Sequence, residues 1–288
     1  LEDGFSPTAL LSQKRESTIH KEKSLYRDIF VRESKLLRCL ALTLFDRQSC
    51  VYRNNDDRIF FDYIKMMFAF PLILNEPDRV LVIGLGGGTI PKLIQKLYPK
   101  ANLTIVELDP AMLRVAEAYF GFEVNQNTNV AIKDGRVFSK SAVRAGVKPF
   151  DVILLDAFDI EEIPPHMTTQ EYVSELRQLL KPGGLLVAHT GLDSGLFHAE
   201  SATYASVFPF IKELSTRKSG SRILFARETP FPERRTLDQR AQKLVRDFAQ
   251  FYIAIEDYPA QLGPLSPWPD TTRILTDDYS PANVLHRQ

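Results

Sequence analysis

Four glycines in five positions stand between an apolar stretch and a predicted helix, in the segment VLVIGLGGGTIPK at residues 80–92. They are Gly84, Gly86, Gly87 and Gly88. Glycine lets the backbone turn sharply and approach a ligand closely, and the helix that follows offers its N-terminal amides. The loop therefore suits a bound ligand, and a tight strand-to-helix turn without a ligand is the alternative.

An acidic residue after the second predicted strand supports a ligand at this loop. Glu107 ends the strand in the segment NLTIVELD, 19 residues after Gly88. An acid at this place accepts hydrogen bonds from both ribose hydroxyls in nucleotide-binding sheets. Together, the loop and Glu107 predict a bound nucleoside. The segment GLGGGT also fits a G-x-G-x-x pattern with Thr89 in the place of the last glycine, so the loop alone does not exclude a nicotinamide dinucleotide.

Further acids follow the third and fourth predicted strands. Asp134 and Gly135 lie in the segment KDG. Asp134 is placed there to accept a hydrogen bond from an adenine amino group, and a helix cap is its alternative role. Asp156 and Asp159 follow the fourth strand in the segment LDAFD. Acids after strands two, three and four resemble the S-adenosylmethionine-type methyltransferase fold, which favours an adenosine ligand over a dinucleotide.

A parallel sheet is needed to bring these residues together. After residue 78, the strands RVLVIG, NLTIVELD, NVAIKDG and DVILLDAF alternate with helices predicted over 90–98, 110–120 and 136–144. Apolar, β-branched strands of this kind are buried on both faces of a parallel sheet. A helix over 168–180, the strand LLVAHT, an antiparallel hairpin from FPFIKELS and SRILFARE, and a helix over 232–250 complete the pattern. It predicts an α/β fold with a doubly wound, mainly parallel seven-stranded sheet.

The residues before this domain predict a smaller unit. Residues 1–17 are polar and aperiodic, and we expect a disordered tail. Residues 18–56 alternate apolar and polar side chains, as in a small antiparallel β-hairpin unit. Residues 57–288 then form the nucleoside-binding catalytic domain. Its first helix is predicted over the segment DDRIFFDYIKMMFAF, which has apolar residues at helical spacing and ends at Pro71.

The segment HKEKSLYRDIFVRES, followed by a helix that contains FFDYIKMM, resembles the spermidine synthase family. The resemblance runs from about Thr18 to the fifth strand near Thr190, and the tail segment RILTDDYSPANVL is similar to the end of bacterial members. It implies transfer of an aminopropyl group from decarboxylated S-adenosylmethionine to a polyamine such as putrescine, which leaves methylthioadenosine. It also implies small-molecule substrates, no tightly bound cofactor and a homodimer formed partly through the N-terminal strands.

The same resemblance assigns roles to three residues of an acceptor site. An alkylamine has a pKa near 10 and must lose a proton before it attacks carbon, and a positioned carboxylate can take that proton. Asp156 matches the family's base, and Asp159 matches a carboxylate that holds the cationic amine. Tyr63 matches a tyrosine that lines the same channel. A simple strand-end cap is the alternative role for Asp156.

Departures from the family pattern bear on the expected substrates. Thr89 stands where the glycine loop usually carries an acid, which would repel the α-carboxylate of intact S-adenosylmethionine. Ile64 and Lys65 stand where a glutamine and a glutamate usually follow the tyrosine, and a lysine in the channel would disfavour a dication. After Asp159 the chain continues IEEIPPH instead of proline and glycine. A methyltransferase of the same fold that uses intact S-adenosylmethionine, and a non-catalytic nucleoside-binding homologue, are therefore the alternatives.

Further charged residues lie near these motifs. Five acids either rebuild an anionic site or lie on a solvated surface: Asp62, Glu161, Glu162, Asp277 and Asp278. The five histidines show no metal-ligand spacing, and no metal is expected. His166 closely follows the fourth-strand acids, and we expect an ordinary loop residue there, with contact to the substrate as the alternative.

Composition excludes several classes of partner. Lys and Arg together number 36, as do Asp and Glu, so no net charge favours nucleic acid or an anionic membrane. The apolar run FAFPLIL is broken by Pro71 and is far shorter than the about 20 residues of a membrane span. Cys39 and Cys50 lack a zinc-ligand pattern, and we expect reduced cysteines in a cytoplasmic protein, with a single disulfide as the alternative. The chain starts at Leu1 without a methionine, which leaves open a removed leader or a trimmed N-terminus.

Overall fold

The computed structural model describes residues 16–43, 46–157 and 163–280. Nearly all of the predicted N-terminal tail lies outside these ranges, as do three of the predicted acids: Asp159, Glu161 and Glu162. The described chain forms two β-sheets joined by a short helical connection. We call them the N-terminal sheet and the central sheet.

The N-terminal sheet is antiparallel, and its strands follow chain order. They are β1 Ser17–Lys23, β2 Asp28–Glu33, β3 Leu37–Ala41, β4 Ser49–Tyr52 and β5 Asn55–Ile59. Cys39 on β3 lies directly opposite Cys50 on β4, and the two form a disulfide. The expectation of reduced cysteines is therefore wrong for this structure, because directly opposed antiparallel positions bring the two Cβ atoms within bonding reach.

The first helix is shorter than predicted. Residues 55–59 pair with β4 as a strand, so helix α1 covers only Asp62–Met67. A 3₁₀ turn, Phe70–Leu72, follows and contains Pro71. Pairing with β4 on one side and the hydrogen bond from Ile59 N–H to Phe251 O supply backbone partners in this segment, which outweighs the helical spacing of the apolar side chains around it. As a result, α1 connects the two sheets and packs against the central one.

Among the described residues the central sheet has eight strands, in the order β13–β11–β12–β10–β9–β6–β7–β8. They are β6 Arg79–Ile83, β7 Asn102–Glu107, β8 Thr128–Ile132, β9 Phe150–Leu155, β10 Leu180–Gly191, β11 Phe210–Thr216, β12 Ser221–Arg227 and β13 Gly263–Pro264. Strands β6 to β10 run parallel, and the last three pair antiparallel. The predicted α/β class is confirmed. The predicted count of seven strands misses β13, a two-residue edge pairing too short to leave a sequence pattern.

Helices cover both faces of the central sheet. They are α2 Thr89–Leu97, α3 Pro110–Phe120, α4 Gly135–Ala145, α5 Gln170–Gln178, α6 Phe197–Val207, α7 Arg234–Ala249 and α8 Tyr258–Gln261. Helix α6 was not predicted, because its buried residues include the polar Glu200, Ser201 and Thr203, which hide the apolar periodicity of a helix. No helix in the described part of the chain is both long and apolar enough to cross a membrane.

Two apolar cores hold the central strands rigidly in place. On β6 and β9, Val80 and Val152 pack into one core, whereas Leu81 and Ile153 pack into the other. All four side chains are fully buried, as expected for parallel strands covered on both faces. The carboxyl ends of these strands therefore form a fixed edge from which the loops emerge.

Candidate active site

A cavity of about 640 Å³ lies at the carboxyl ends of the parallel strands, where open α/β sheets bind their ligands. Residues of the N-terminal sheet line its other side. Its walls include most of the residues that the sequence predicts: Tyr63, Gly84, Gly86, Gly87, Thr89, Glu107, Asp134, Gly135 and Asp156. Gly88 is not among the lining residues, and a Cβ on it would lie 2.8 Å from Phe122 Cβ. Its role is to let α2 pack closely against its neighbour.

The first glycine of the loop lies directly against the fourth-strand acid. Gly84 has φ of +100°, and a Cβ on it would lie 2.1 Å from the backbone oxygen of Asp156. Its N–H donates to Val106 O at 2.9 Å, and Asp156 N–H donates to Ile83 O at 2.9 Å. Because of this contact, the glycine loop and Asp156 share one wall of the cavity.

The Glu107 carboxylate is held by backbone donors at the end of β7. Oε2 accepts a hydrogen bond from Leu85 N–H at 3.0 Å, and Oε1 accepts one from Asp109 N–H at 2.8 Å. Burial raises the pKa of Glu107, and the two backbone donors only partly offset that effect. Each carboxylate oxygen has a further lone pair, which leaves acceptor capacity for two hydroxyls. This geometry suits a ribose.

Asp134 caps α4 and also lines the cavity. Its Oδ1 accepts from the N–H groups of Arg136 and Val137, at 3.0 and 2.9 Å. Its Oδ2 lies 2.9 Å from His166 Nε2, so the expectation of an ordinary loop residue at His166 is wrong. Burial would raise the pKa of Asp134, but the hydrogen bonds from Val137, His166 and Arg136 together hold it below its ordinary value. An adenine amino group would therefore share Oδ2 with His166.

Three elements converge on the Asp156 carboxylate. Oδ2 accepts a hydrogen bond from the Tyr63 hydroxyl of α1 at 3.2 Å, and Oδ1 lies 3.0 Å from Nδ1 of His189 on β10. The rings of Tyr63 and His189 are stacked, with centroids 4.0 Å apart and planes 7° apart. Asp156 is thus held on both oxygens and lines the cavity, which is more than a strand-end cap would do.

The start of α2 packs against the N-terminal sheet. Thr89 is buried, and its Oγ1 lies 3.4 Å from Ser49 Oγ. A Cβ on Gly87 would come 2.6 Å from the same Ser49 oxygen. Arg27 and Arg47 also line the cavity on this side. The cavity lining therefore includes the neutral Thr89 hydroxyl and two basic side chains, of which Arg47 is ion-paired with Glu16.

Several charged residues near the motifs are engaged elsewhere. Lys65 Nζ lies 3.0 Å from Asp62 Oδ1, and Lys65 is not among the described residues that line the cavity. The expected repulsion of a dication by Lys65 is therefore wrong, because its neighbour Ile64 faces the cavity instead. Asp277 accepts two hydrogen bonds from Arg136, at 2.5 and 2.6 Å, and Asp278 is exposed. None of these three acids lines the described cavity.

Sequence reasoning missed the most central partner of Asp156. His189 lies in the predicted strand LLVAHT. The sequence feature that could have marked it as a site residue is a polar ring next to the end of an apolar strand. Its contacts with Tyr63 and Asp156 join distant parts of the chain, so spacing could not reveal them. Among the described residues, no group of three or more His, Cys, Asp or Glu side chains could hold a metal ion.

Comparisons with known proteins agree with this geometry. A family model described as the spermine/spermidine synthase domain matches residues 60–213. A polyamine aminopropyltransferase of Vibrio vulnificus (strain CMCP6) is 43% identical over 272 residues, which cover 93% of this chain and 91% of that protein. This chain belongs to the spermine/spermidine synthase family. Membership of the family makes the chain an enzyme, and its substrates are small molecules.

Solved structures extend the comparison of this spermine/spermidine synthase family member. A probable spermidine synthase from Corynebacterium glutamicum ATCC 13032 has a TM-score of 0.65 at 20% identity, over 88% of this chain and 98% of that one, and shows a shared fold. Human methyltransferase-like protein 13 in complex with SAH has a TM-score of 0.58 at 27% identity, over 72% of this chain and 94% of that one.

Proposed function

We propose that this family member transfers an aminopropyl group from decarboxylated S-adenosylmethionine to an amine of a polyamine such as putrescine, leaving methylthioadenosine. The observation that carries the proposal is the Asp156 carboxylate, held by Tyr63 and His189 beside the glycine loop in one cavity. The similarity to a polyamine aminopropyltransferase over nearly the whole chain supports the same reaction.

The nucleoside half of the site would lie along the glycine loop and the ends of β7 and β8. Glu107 would accept the ribose hydroxyls, since both of its oxygens are oriented by backbone donors. Asp134 and Gly135 would contact the adenine at the start of α4. The sulfonium end of the nucleoside would lie along the backbone of Gly84, Gly86 and Gly87, which leads towards Asp156. Gly88 would lie behind this backbone, and Thr89 would lie beside the sulfonium.

The acceptor half would lie around Asp156. A protonated amine must give up a proton before its nitrogen attacks the carbon beside the sulfonium. Asp156 is placed to take that proton, and the Tyr63 hydroxyl helps to fix the carboxylate. We assign the second amine of the substrate to Asp159, which lies outside the described residues. In the transfer, the new C–N bond forms as the C–S bond breaks, and the electron pair stays on sulfur.

Removal of the Asp156 charge tests this assignment. We expect Asp156→Asn to lower kcat for aminopropyl transfer at least about 100-fold, because an amide cannot accept the proton. Methylthioadenosine binding, measured by calorimetry, should change less than about threefold. Asp247→Asn, an exposed position on α7, is the matched control and should keep full activity. Wild-type turnover in Asp156→Asn would contradict the assigned role.

A second candidate function is methyl transfer from intact S-adenosylmethionine. The structural similarity to a methyltransferase in complex with SAH favours it, as do the neutral Thr89 and the basic Arg27, which line the same cavity. Side-by-side calorimetric titration with methylthioadenosine, decarboxylated S-adenosylmethionine and intact S-adenosylmethionine separates the two. Preference for the first two ligands supports aminopropyl transfer, and equal or tighter binding of the intact nucleoside supports methyl transfer.

We also propose a homodimer and a cytoplasmic location. The N-terminal sheet and its turns expose Ile19, Leu25, Tyr26 and Leu36, which suits a subunit interface. Light scattering coupled to size-exclusion chromatography should give twice the chain mass.

The cytoplasmic location follows from the small-molecule biosynthetic reaction. A cytoplasmic location predicts that Cys39 and Cys50 are reduced in the cell, and alkylation of the two cysteines in freshly lysed cells is the direct test, with the disulfide of the structure as the opposite outcome.

A further inference from the structure

The segment at residues 275–280, which we call the strap, is fixed to two helices at its first residue. Leu275 is fully buried. Its N–H donates to Thr203 Oγ1 of α6 at 2.9 Å, and its carbonyl oxygen accepts from Gln170 N–H of α5 at 2.8 Å. None of the described residues of the strap lines the cavity. Any effect of the strap on a bound ligand must therefore pass through other residues.

The strap meets a stretch that does line the cavity, at residues 164–169, which we call the wall segment. Three of its residues line the cavity: Pro164, His166 and Met167. Nε2 of His166 lies 2.9 Å from Asp134 Oδ2, and it donates this bond because a carboxylate only accepts. A Cβ on Gly135 would lie 2.7 Å from Met167 Cε. The wall segment thus touches both residues to which we assign the adenine.

One guanidinium group joins the strap to the wall segment. Nη1 of Arg136 donates to His166 O at 3.0 Å and to Asp277 Oδ1 at 2.5 Å, and Nη2 donates to Asp277 Oδ2 at 2.6 Å. Nη2 also donates a longer bond, of 3.2 Å, to Glu175 Oε1. The Arg136 side chain is only 8% exposed. A carboxylate that binds both nitrogens fixes the plane of the guanidinium, so Asp277 sets where Arg136 holds the wall segment.

Direct contacts between the strap and the wall segment reinforce this link. Asp277 Oδ1 accepts a hydrogen bond from Thr169 Oγ1 at 2.9 Å. Ser280 Oγ donates to Pro165 O at 3.2 Å and lies 3.3 Å from Thr168 Oγ1. The strap therefore holds the wall segment along its length, both directly and through Arg136.

Resting on the nucleoside placement of the proposed function, we propose that the strap is a positioning element of the nucleoside site. In this role, Asp277 and Ser280 hold the wall segment against the adenine end of the cavity. A wall that is already fixed loses little conformational freedom when the ligand binds, whereas a released wall must be ordered by the ligand. The strap therefore raises the affinity for the nucleoside without touching it.

Substitution of the two holding side chains tests the proposal. We expect Asp277→Asn, which removes the charge that pairs with Arg136, to weaken methylthioadenosine binding about tenfold. Ser280→Ala keeps the ion pair and should weaken binding about threefold. Asp278→Asn, at the exposed neighbouring position, is the matched control and should bind as wild type does. Calorimetric titration measures the affinities, and urea unfolding shows that each variant is folded. S-adenosylhomocysteine, the product of methyl transfer, is titrated in parallel and replaces methylthioadenosine if it binds more tightly.

Hydrogen exchange detects a coupling that simple stabilisation of the fold would not produce. Coupling between two sites is reciprocal, so a strap that favours the bound nucleoside must itself be stabilised by that nucleoside. We expect the strap amides to exchange at least about threefold more slowly when the ligand is added. In Asp277→Asn this protection should be lost. The amides of α7, none of which lines the described cavity, are the internal control for a general effect on stability.

The outcomes separate this proposal from the proposed function. Wild-type affinity in Asp277→Asn, or in Ser280→Ala where Asp277→Asn does not fold, would overturn it. Strap amides that slow no more than those of α7 would overturn it as well, and would leave the strap a purely structural element. If the expected effects occur but no aminopropyl group is transferred, the proposed function fails and the role of the strap stands. If the wild type binds neither nucleoside, the nucleoside placement is wrong and the role of the strap is wrong with it.

Discussion

At the scale of single residues, Glu107 tests the nucleoside half of the site. A glutamine there would turn its amide NH₂ towards the N–H of either Leu85 or Asp109, so one of the two backbone hydrogen bonds would be lost. We expect Glu107→Gln to weaken methylthioadenosine binding about 10- to 100-fold, equivalent to about 1–3 kcal/mol. Calorimetric titration measures this.

The control for this prediction is Glu117→Gln on the same stretch of chain. Glu117 is an exposed residue of α3, and its substitution should leave the affinity unchanged. Equal affinity of wild type and Glu107→Gln would show that the ribose does not lie on Glu107.

Whether a site residue could be predicted from the sequence depended on its position relative to the predicted strands. Glu107, Asp134 and Asp156 each come directly after a buried strand, so a parallel sheet necessarily brings them to one edge. His189 could not be predicted, because its importance arises from a ring stack with α1 and a hydrogen bond across the sheet. The double use of Asp134, as helix cap and as partner of His166, likewise depends on tertiary contact.

At the scale of elements, the turn from β6 into the glycine loop is the tightest contact of the site. We expect Gly84→Ala to destabilise the protein by about 3 kcal/mol, because positive φ and a clash with the Asp156 backbone act together. The same variant should lose transferase activity, since Asp156 must move to relieve the clash. Urea unfolding gives the free energy, and an enzyme assay gives the activity.

A second glycine provides the control for this prediction. Gly146 has φ of +60°, yet a Cβ on it would meet no atom within 4 Å. Gly146→Ala should therefore cost only about 1 kcal/mol, from backbone strain alone, and should keep full activity. A Gly84→Ala variant as stable as Gly146→Ala would show that the turn can relax and that the close approach is unimportant.

The elements themselves were predicted unevenly. The parallel strands and the helices between them follow from local pattern, because each strand is an apolar run and each helix is amphipathic. Local pattern did not predict the strand at residues 55–59, because this strand forms through pairing with a neighbouring strand. It did not predict helix α6 either, because buried polar side chains hide the apolar periodicity of that helix. The two-residue β13 exists only because a distant segment meets the edge of β11.

At the scale of the whole molecule, the C-terminal segment is tied to the start of α4. Asp277 accepts from Arg136 and from Thr169 Oγ1, and Leu275 O accepts from Gln170 N–H. The sequence could not predict these contacts, because they join residues more than 100 positions apart. The segment therefore supports the helix that Asp134 caps.

Acid should weaken this tie. The hydrogen bond from Arg136 lowers the pKa of Asp277, so its contribution to stability is complete above the ordinary carboxyl value near 3.9. The contribution is lost as the pH falls through the lowered pKa of the folded state. At pH 7 we expect Asp277→Asn to be about 1 kcal/mol less stable than wild type, with the difference vanishing in acid.

Urea unfolding at several pH values between 2.5 and 7 measures that difference. Asp278→Asn, at the exposed neighbouring position, should match wild type throughout. A stability difference for Asp277→Asn that persists unchanged at the lowest pH would show that the ion pair is not its source.

The two halves of the site are distributed differently along the chain. The proposed nucleoside contacts lie in one continuous stretch from Gly84 to Gly135, whereas Tyr63 and His189 are 93 and 33 residues from the Asp156 they bind. A single inserted or exchanged segment can therefore carry the nucleoside site into another sheet of this kind. The acceptor site cannot be transferred in one segment, because Tyr63, Asp156 and His189 come from three separate parts of the chain. A change of acceptor therefore requires separate substitutions in these three parts, and each substitution must be compatible with the other two.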